Sequence, residues 1–321
     1  MRVVLTGGGG FIGSHLLARL VGAGMDVTLV GPHAGKSRYT ASLIDAGDVR
    51  FVRCDGAFMW EEGLRPALED ADALVLLGYV MPASSSPAER LADELRRNVA
   101  PLVRLLHAAQ GAPRHVIFAS SVSVYGAPAG VPLHESDAAR PATAYGVAKL
   151  ACEDALRFVA ATWGWRSCIL RYATGYGPGE TVPRAIPNFI RAALSGEPPV
   201  VNGDGLDEHD YIHVADIVEA TVAALRCGAE GVFNVGTGIG TRTIDVARLV
   251  LELTGSSPEM VHRAARVDPA GPIRIICDTE AARSQLGFVA RRALAEGITE
   301  EIGWFRAALA GVAQPAFAVG A

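Results

Sequence analysis

The chain has 321 residues, half of them hydrophobic, a length that supports one large core or two coupled lobes. Its formal net charge is −5 with no basic run, which argues against nucleic acid as a partner, and no apolar stretch reaches the ~18 residues a membrane span needs. Cys54, Cys152, Cys168, Cys227 and Cys277 are scattered, odd in number and without a CxxC pair, so neither a disulfide framework nor a thiolate metal site is expected. The first residues, "MRVVLTGGGG", read as an immediate strand rather than a secretory signal, and the expected compartment is the cytoplasm.

In chain order, 3–7 predicts a buried strand, 12–23 a helix, 26–31 and 49–55 strands, 63–70 a helix and 73–78 a strand. A helix over 88–110, a strand over 115–121, a helix over 145–163 and a strand over 166–173 follow. Apolar strands alternating with helices predict βαβ units and a doubly wound parallel sheet of the Rossmann kind. Beyond residue 174, "GYGPGETVPRAIPNF" and "SGEPPVVNGDGLDEHD" are rich in Gly, Pro and acids and predict long loops around a short helix, 185–195. A helix over 214–227 and a strand over 231–236 return to the first lobe. The remainder predicts a helix from Thr243, a strand "RIICD" and a closing helix. The expected domains are 1–173 with about 213–236 for dinucleotide binding, and about 174–212 with 237–310 as a smaller substrate-binding lobe. Residues 311–321 read as a loose tail.

"TGGGGFIGSHL", 6–16, stands between a strand and a helix, the context of a dinucleotide fingerprint. Gly7, Gly10 and Gly13 give G-x-x-G-x-x-G, while Gly8, Gly10 and Gly13 satisfy G-x-G-x-x-G. Such glycines permit a tight turn, close approach of a pyrophosphate and helix–strand packing, with the helix N-terminus toward the phosphates. Where an acid would hold the adenosine ribose, the chain has Gly31, followed by His33, Lys36 and Arg38. These cations either accommodate a 2′-phosphate or sit on a solvated loop, which leaves both NAD and NADP open. Asp55 is a candidate for the adenine amino group.

"FASSVSVYG" (118–126) and "AYGVAKLACE" (144–153) carry the candidate chemistry. Tyr145 and Lys149 are four apart on a predicted helix and therefore share a face. A phenol ionises near 10 in water, and making it a base at neutral pH takes ~4 kcal/mol of anion stabilisation. An ammonium at ~4 Å in an effective dielectric of ~20 supplies about that much; at a longer distance an oxidised nicotinamide would add the rest. A serine at the end of the fifth strand would hydrogen-bond the substrate oxygen as charge moves there.

With "TGGGGFIGSHL", "SSVSVYG", "YGVAK", "LRYATGYGPG", "NGDGLDEHDYIHVAD" and "FNVGTG", the sequence resembles the extended short-chain dehydrogenase/reductases, of the nucleotide-sugar epimerase type found in UDP-glucose 4-epimerases. The resemblance covers nearly the whole chain and selects Ser121, rather than Ser120 or Ser123, as the catalytic hydroxyl. It implies Tyr145 as base, Lys149 as the residue that binds the nicotinamide ribose and tunes it, and Asn98 as the support of that lysine through a buried water. Phe11, Ile12 and Gly78 join the implied cofactor-binding residues, and Thr174, Asn188, His209 and Arg274 the substrate-binding ones. The implied partners are a nucleotide sugar and a second copy of the chain, paired through the helices over 88–110 and 145–163. The apolar residues Leu102, Val103, Leu105, Leu106, Leu156 and Val159 suit that pairing or simple burial on the sheet.

Departures from the family lie in the substrate half. His209 stands where an arginine usually clamps the diphosphate, Asp268 where a second arginine falls, and Thr174 where an asparagine is usual; Arg274 is a candidate substitute. An imidazole cannot reproduce a bidentate guanidinium–phosphate contact. Val122 and Ser123 follow Ser121 where the family's dehydratases carry Asp-Glu, so water elimination is not expected. His209 and His213, near Asp210 and Asp216, lack a third-ligand pattern for a metal, and Trp163 and Trp165 read as packing residues. The expected function is an NAD(P)-dependent nucleotide-sugar epimerase acting at C4. The alternatives are a ketoreductase of a keto-sugar or related carbonyl, and a non-catalytic NAD(P)-binding regulator.

Overall fold

The computed structural model describes residues 1–33, 38–54, 64–82, 86–111, 114–128, 130–257, 259–264 and 272–311. β1 (Arg2–Thr6), α1 (Phe11–Gly22), β2 (Asp26–Gly31), α2 (Arg38–Asp45), β3 (Val49–Arg53), α3 (Leu64–Glu69) and β4 (Ala73–Leu76) form the first wind. Ser86 caps α4 (Pro87–Glu94), which runs through a π-helical turn (Leu95–Val99) into α5 (Ala100–Ala108). β5 (His115–Ser121) ends in a 3-10 turn (Val122–Val124). α6 (Ala144–Trp163) starts at the Thr143 cap and stops at left-handed Gly164, and β6 (Arg166–Tyr172) follows. Then come β7 (Thr174–Tyr176), α7 (Ala185–Leu194), β8 (Val200–Asn202), β9 (Glu208–His213), α8 (Val214–Cys227) and β10 (Gly231–Val235). The chain closes with β11 (Gly240–Arg242), α9 (Thr243–Thr254), β12 (Val261–Arg263), β13 (Arg274–Ile275), α10 (Glu280–Leu286) and α11 (Leu294–Leu309).

Seven of these strands form one parallel sheet in the order β10-β6-β5-β4-β1-β2-β3. Successive side chains alternate between its faces. Val3 and Leu5 join Leu16, Leu20 and Ile217 on one side, while Val4 joins Leu74, Leu105 and Leu156 on the other. Strand order reverses between β1 and β4, which opens a crevice at their carboxyl ends. The predicted doubly wound sheet is thus present with all seven of its strands.

A third core packs Phe189, Ile190, Val246, Val250, Ile302 and Phe305 from α7, α9 and α11. Here the sequence reading needs correction. Residues 195–210 are expected to be loop, yet they contain β8 and the start of β9, and β9 is the hub that pairs with β7, β11 and β13. The acid within β9, Asp210, is buried and tolerated because Thr237 N, Gly238 N and Thr237 Oγ1 donate to it at 2.7–2.9 Å. The strand "RIICD" shortens to two residues, and 88–110 is broken by the π turn. None of the five cysteines is in a disulfide. Trp163 and Trp165 pack edge to face at 4.9 Å between ring centres.

α11 brings the fully buried Glu301 close to the buried Glu180, with the Gly177 backbone as the polar group that opposes their repulsion. Burial, reinforced by Glu180, pushes Glu301 up to about 9, and burial pushes Glu180 up to about 7. The unfolded chain therefore ionises first, so this pair's contribution to stability is lost as pH rises from about 4.5 toward 9. Glu301→Gln keeps the shape of the protonated acid. It is expected to be more stable than the parent by on the order of 2 kcal/mol at pH 7, with the gap closing near pH 5. Urea midpoints of both proteins from pH 5 to 9 check this; parallel curves would refute it.

Candidate active site

β1 ends at Thr6, and the chain turns through Gly7 at φ +76° before α1 begins. A Cβ on Gly7 would lie 2.6 Å from Gly78 N, and one on Gly13 would lie 2.1 Å from Gly7 O. Gly7 is therefore the turn and strand-approach glycine, and Gly13 packs the helix onto the turn. Gly10, exposed, starts α1 with no side-chain cap and no acid in the first turn. The N–H groups of that turn, which include Phe11 and Ile12, have no intrahelical acceptor. Gly8 is buried, and a Cβ there would meet only the Leu29 and Leu5 side chains. The spacing that matters is Gly7, Gly10, Gly13. A bare helix N-terminus opening on the strand-order reversal fits a dinucleotide pyrophosphate. Gly78 N donates to Thr6 Oγ1 at 3.1 Å and locks β4 against this turn. Of the adenosine-side candidates, His33 is exposed and Arg38 opens α2, whereas Lys36 and Asp55 lie outside the described residues, as does Asp268.

Ser121 ends β5; its hydroxyl donates to Ser123 Oγ at 3.1 Å and accepts from Ser123 N at 3.2 Å. The first turn of α6 abuts this serine turn, for a Cβ on Gly146 would lie 2.4 Å from Ser123 O. Tyr145 is half-buried in that first turn, and Lys149 follows one turn later, 4% exposed. Lys149 Nζ donates to Ala119 O at 2.6 Å and lies 5.8 Å from the Tyr145 ring centre. That places the ammonium within Coulombic reach of the Tyr145 ring.

Asn98 sits on the π-helical turn, a geometry often found at functional sites. It bonds both backbone groups of Val80, accepting from N at 2.8 Å and donating to O at 2.9 Å, and donates to Glu94 Oε2 at 2.8 Å. Among its described bonds it holds the segment after β4 instead of reaching Lys149 directly. Two residues escaped the sequence reading here. Tyr79 packs edge to face on Tyr145 at 5.1 Å, and its hydroxyl makes a short hydrogen bond to the buried Glu94. A carboxylate four residues before Asn98, on one helix face, was the available signal.

β9 brings part of the expected substrate set together. Thr174 pairs with Tyr211, and His209 lies opposite both Thr241 and Ile275. Burial lowers the His209 pKa, so the imidazole is neutral at pH 7 and offers no charge to a diphosphate. Arg274 donates to Glu208 at 2.8 Å, and Arg242 approaches the other Glu208 oxygen at 3.7 Å. Both guanidinium groups thus share one carboxylate. Asn188 lies exposed on α7 and accepts from Arg191 at 3.3 Å. His213 Nδ1 caps α8 by accepting from Ala215 N, a structural role, and Asp216 accepts from Arg292 N. No helix among the described residues is long and apolar enough to cross a membrane.

Residues 3–236 match the model of the NAD dependent epimerase/dehydratase family. A UDP-glucose 4-epimerase of Azospirillum brasilense is 32% identical, over 95% of this chain and 92% of that one. A UDP-N-acetyl-alpha-D-glucosaminuronate decarboxylase of Bacillus cytotoxicus is also 32% identical, over 95% and 98%. Among solved structures, MoeE5 in complex with UDP-glucose and NAD matches with a TM-score of 0.84 and 34% identity, covering 96% of this chain and all of that one.

Proposed function

The chain belongs to the NAD-dependent epimerase/dehydratase family, and from that premise we propose that it is a nucleotide-sugar epimerase acting at C4. The observation that carries this reading is the junction of the Ser121 turn with the first turns of α6, beside the Gly7–Gly78 crevice. NAD, held along Gly7, Gly10 and Gly13, supplies the hydride acceptor and donor when bound. Tyr145 takes the proton of the C4 hydroxyl, holds it while that carbon is a ketone, and returns it. Ser121 donates a hydrogen bond to the same oxygen, and Lys149 stabilises the tyrosine's negative charge. The family description and the NAD-bound neighbour support NAD over the phosphorylated cofactor for which Gly31 leaves room.

Val122 and Ser123 offer no acid–base pair for water elimination, which favours epimerase over dehydratase. Two observations favour a second reading, a ketoreductase whose carbonyl substrate lacks a diphosphate: the neutral His209 and the engagement of Arg274 by Glu208. On the dimer side, α6 exposes Phe158 (73%) and α5 exposes Val103, a face suited to a second copy of the chain. Light scattering at twice 33.6 kDa would support the dimer, and a monomer mass would refute it.

Purified protein is expected to retain NAD through turnover and to interconvert UDP-glucose and UDP-galactose, as read by chromatography of nucleotides and sugars. Stoichiometric consumption of NADPH with a keto substrate, without interconversion, would overturn the epimerase reading in favour of the reductase.

A further inference from the structure

Tyr79 stands one residue beyond the Gly78 backbone that abuts the glycine turn, and it meets the candidate catalytic pair from the β4 side. The Lys149 ammonium lies 4.4 Å from the Tyr79 ring centre and 5.0 Å from that of Phe118, while donating to Ala119 O. The Tyr145 ring meets Tyr79 edge to face at an interplanar angle of 74°. The hydroxyl end of Tyr79 is tied to Glu94, whose Oε2 also accepts from Asn98, while Glu94 Oε1 has no partner. Asn98 in turn fixes the backbone of Val80, so Tyr79 is anchored through both its hydroxyl and its neighbour.

We propose that Tyr79 is a positioning residue: its ring face fixes the Lys149 ammonium and its flank fixes Tyr145, with Glu94 as the tether. A desolvated cation over an aromatic face is strongly held, and a hydrogen bond from the phenol to a carboxylate makes that face more electron-rich. Burial and Glu94 hold the Tyr79 phenol far above its ordinary range, so it keeps its proton and does not compete with Tyr145 as base. The charged or titratable groups around the ammonium are Tyr79 from the β4 side, Glu94 from α4, and Tyr145 and Cys152 from α6. Burial pushes Cys152 up to about 11, so it stays a neutral thiol. Tyr79 thus controls where the Lys149 charge sits relative to the Tyr145 ring.

The inference rests on the epimerase reading for its kinetic arm and is independent of it for its spectroscopic arm. In the NAD-loaded enzyme, Tyr79→Leu is expected to lower kcat about tenfold with KM within twofold, and to move the acid limb of the pH–rate profile to higher pH. Tyr79→Phe, which keeps the ring face but loses the Glu94 tether, should fall between the parent and Tyr79→Leu in both kcat and the position of that limb. Should Tyr79→Leu fail to fold, Tyr79→Met removes the ring with a more adaptable side chain. The tyrosinate absorbance that Tyr145→Phe abolishes should appear at higher pH in the Leu or Met variant, with no substrate present. An unmoved acid limb and tyrosinate onset, or equal losses in Phe and Leu, would overturn the proposal. A parent enzyme without nucleotide-sugar turnover removes only the kinetic premise, and the tyrosinate onset then decides.

Discussion

Tyr145→Phe is expected to lower nucleotide-sugar interconversion by about a thousandfold while leaving the bound NAD and the thermal midpoint close to the parent's. The change removes one oxygen and keeps the ring that packs on Tyr79, so the fold has no reason to respond. The chemistry has every reason to. Ser121 supplies a hydroxyl at the end of β5, but its hydrogen bonds run to Ser123 Oγ and from Ser123 N, and an aliphatic hydroxyl is too weak an acid to take over as base. Tyr79 cannot replace the lost phenol, since it is tied to Glu94 and keeps its proton. Lys149 remains in place through Ala119 O and keeps its charge over Tyr79, but no oxygen is left for that charge to activate. The test is steady-state kinetics together with NAD content by chromatography of the denatured protein. Activity within tenfold of the parent would remove Tyr145 from the mechanism.

The parts of this molecule legible in the sequence share a cause. Strands buried on both faces appear as unbroken apolar runs, such as "VVLTG" and "HVIFASS", so the sheet could be read directly. The glycine turn and the Tyr145–Lys149 pair were legible because each is local, spanning at most seven residues. The small sheet around β9 was not. β7 and β11 are three residues long and β13 two, too short to carry a period, and the buried Asp210 of β9 disguises it as loop. Tyr79 and Glu94 meet across fifteen residues, from just beyond β4 to the last turn of α4, a contact that no spacing rule supplies. His209 carries its message in its side chain: an imidazole offers no bidentate phosphate contact. That Arg274 is held by Glu208 could be known only from the pairing of β13 with β9.

Arg171→Met is expected to destabilise the protein by about 3–4 kcal/mol, and Arg171→Met with Glu153→Leu to recover most of that loss. Arg171 lies on β6 directly opposite Ser120 on β5 and is almost fully buried. It donates to Glu153 Oε1 at 3.0 Å, to Glu153 Oε2 at 2.8 Å and to the Tyr125 hydroxyl at 2.9 Å. Glu153, on α6 one turn beyond Lys149, is fully buried and also accepts from Ser120 Oγ. Tyr125 passes the network on by donating to Asn234 Oδ1 at 2.7 Å, and Asn234 donates to Leu133 O at 2.8 Å. One guanidinium therefore joins the strand that ends in Ser121, the helix that carries Tyr145 and Lys149, and the outer strand β10. Removing it alone strands a buried carboxylate with only the half-exposed Arg157 opposite, at 2.6 Å. That residual partner keeps the loss below the upper end of about 5 kcal/mol measured when buried pairs are broken. Removing the carboxylate as well exchanges the ion pair for apolar packing, which costs far less. Urea unfolding of the two variants distinguishes these outcomes, and equal destabilisation of single and double variants would show that the stranded charge is not the cause. Because Ser120 loses its acceptor only in the double variant, that protein should regain stability without regaining full turnover, which separates the network's hold on the fold from its hold on the β5 terminus.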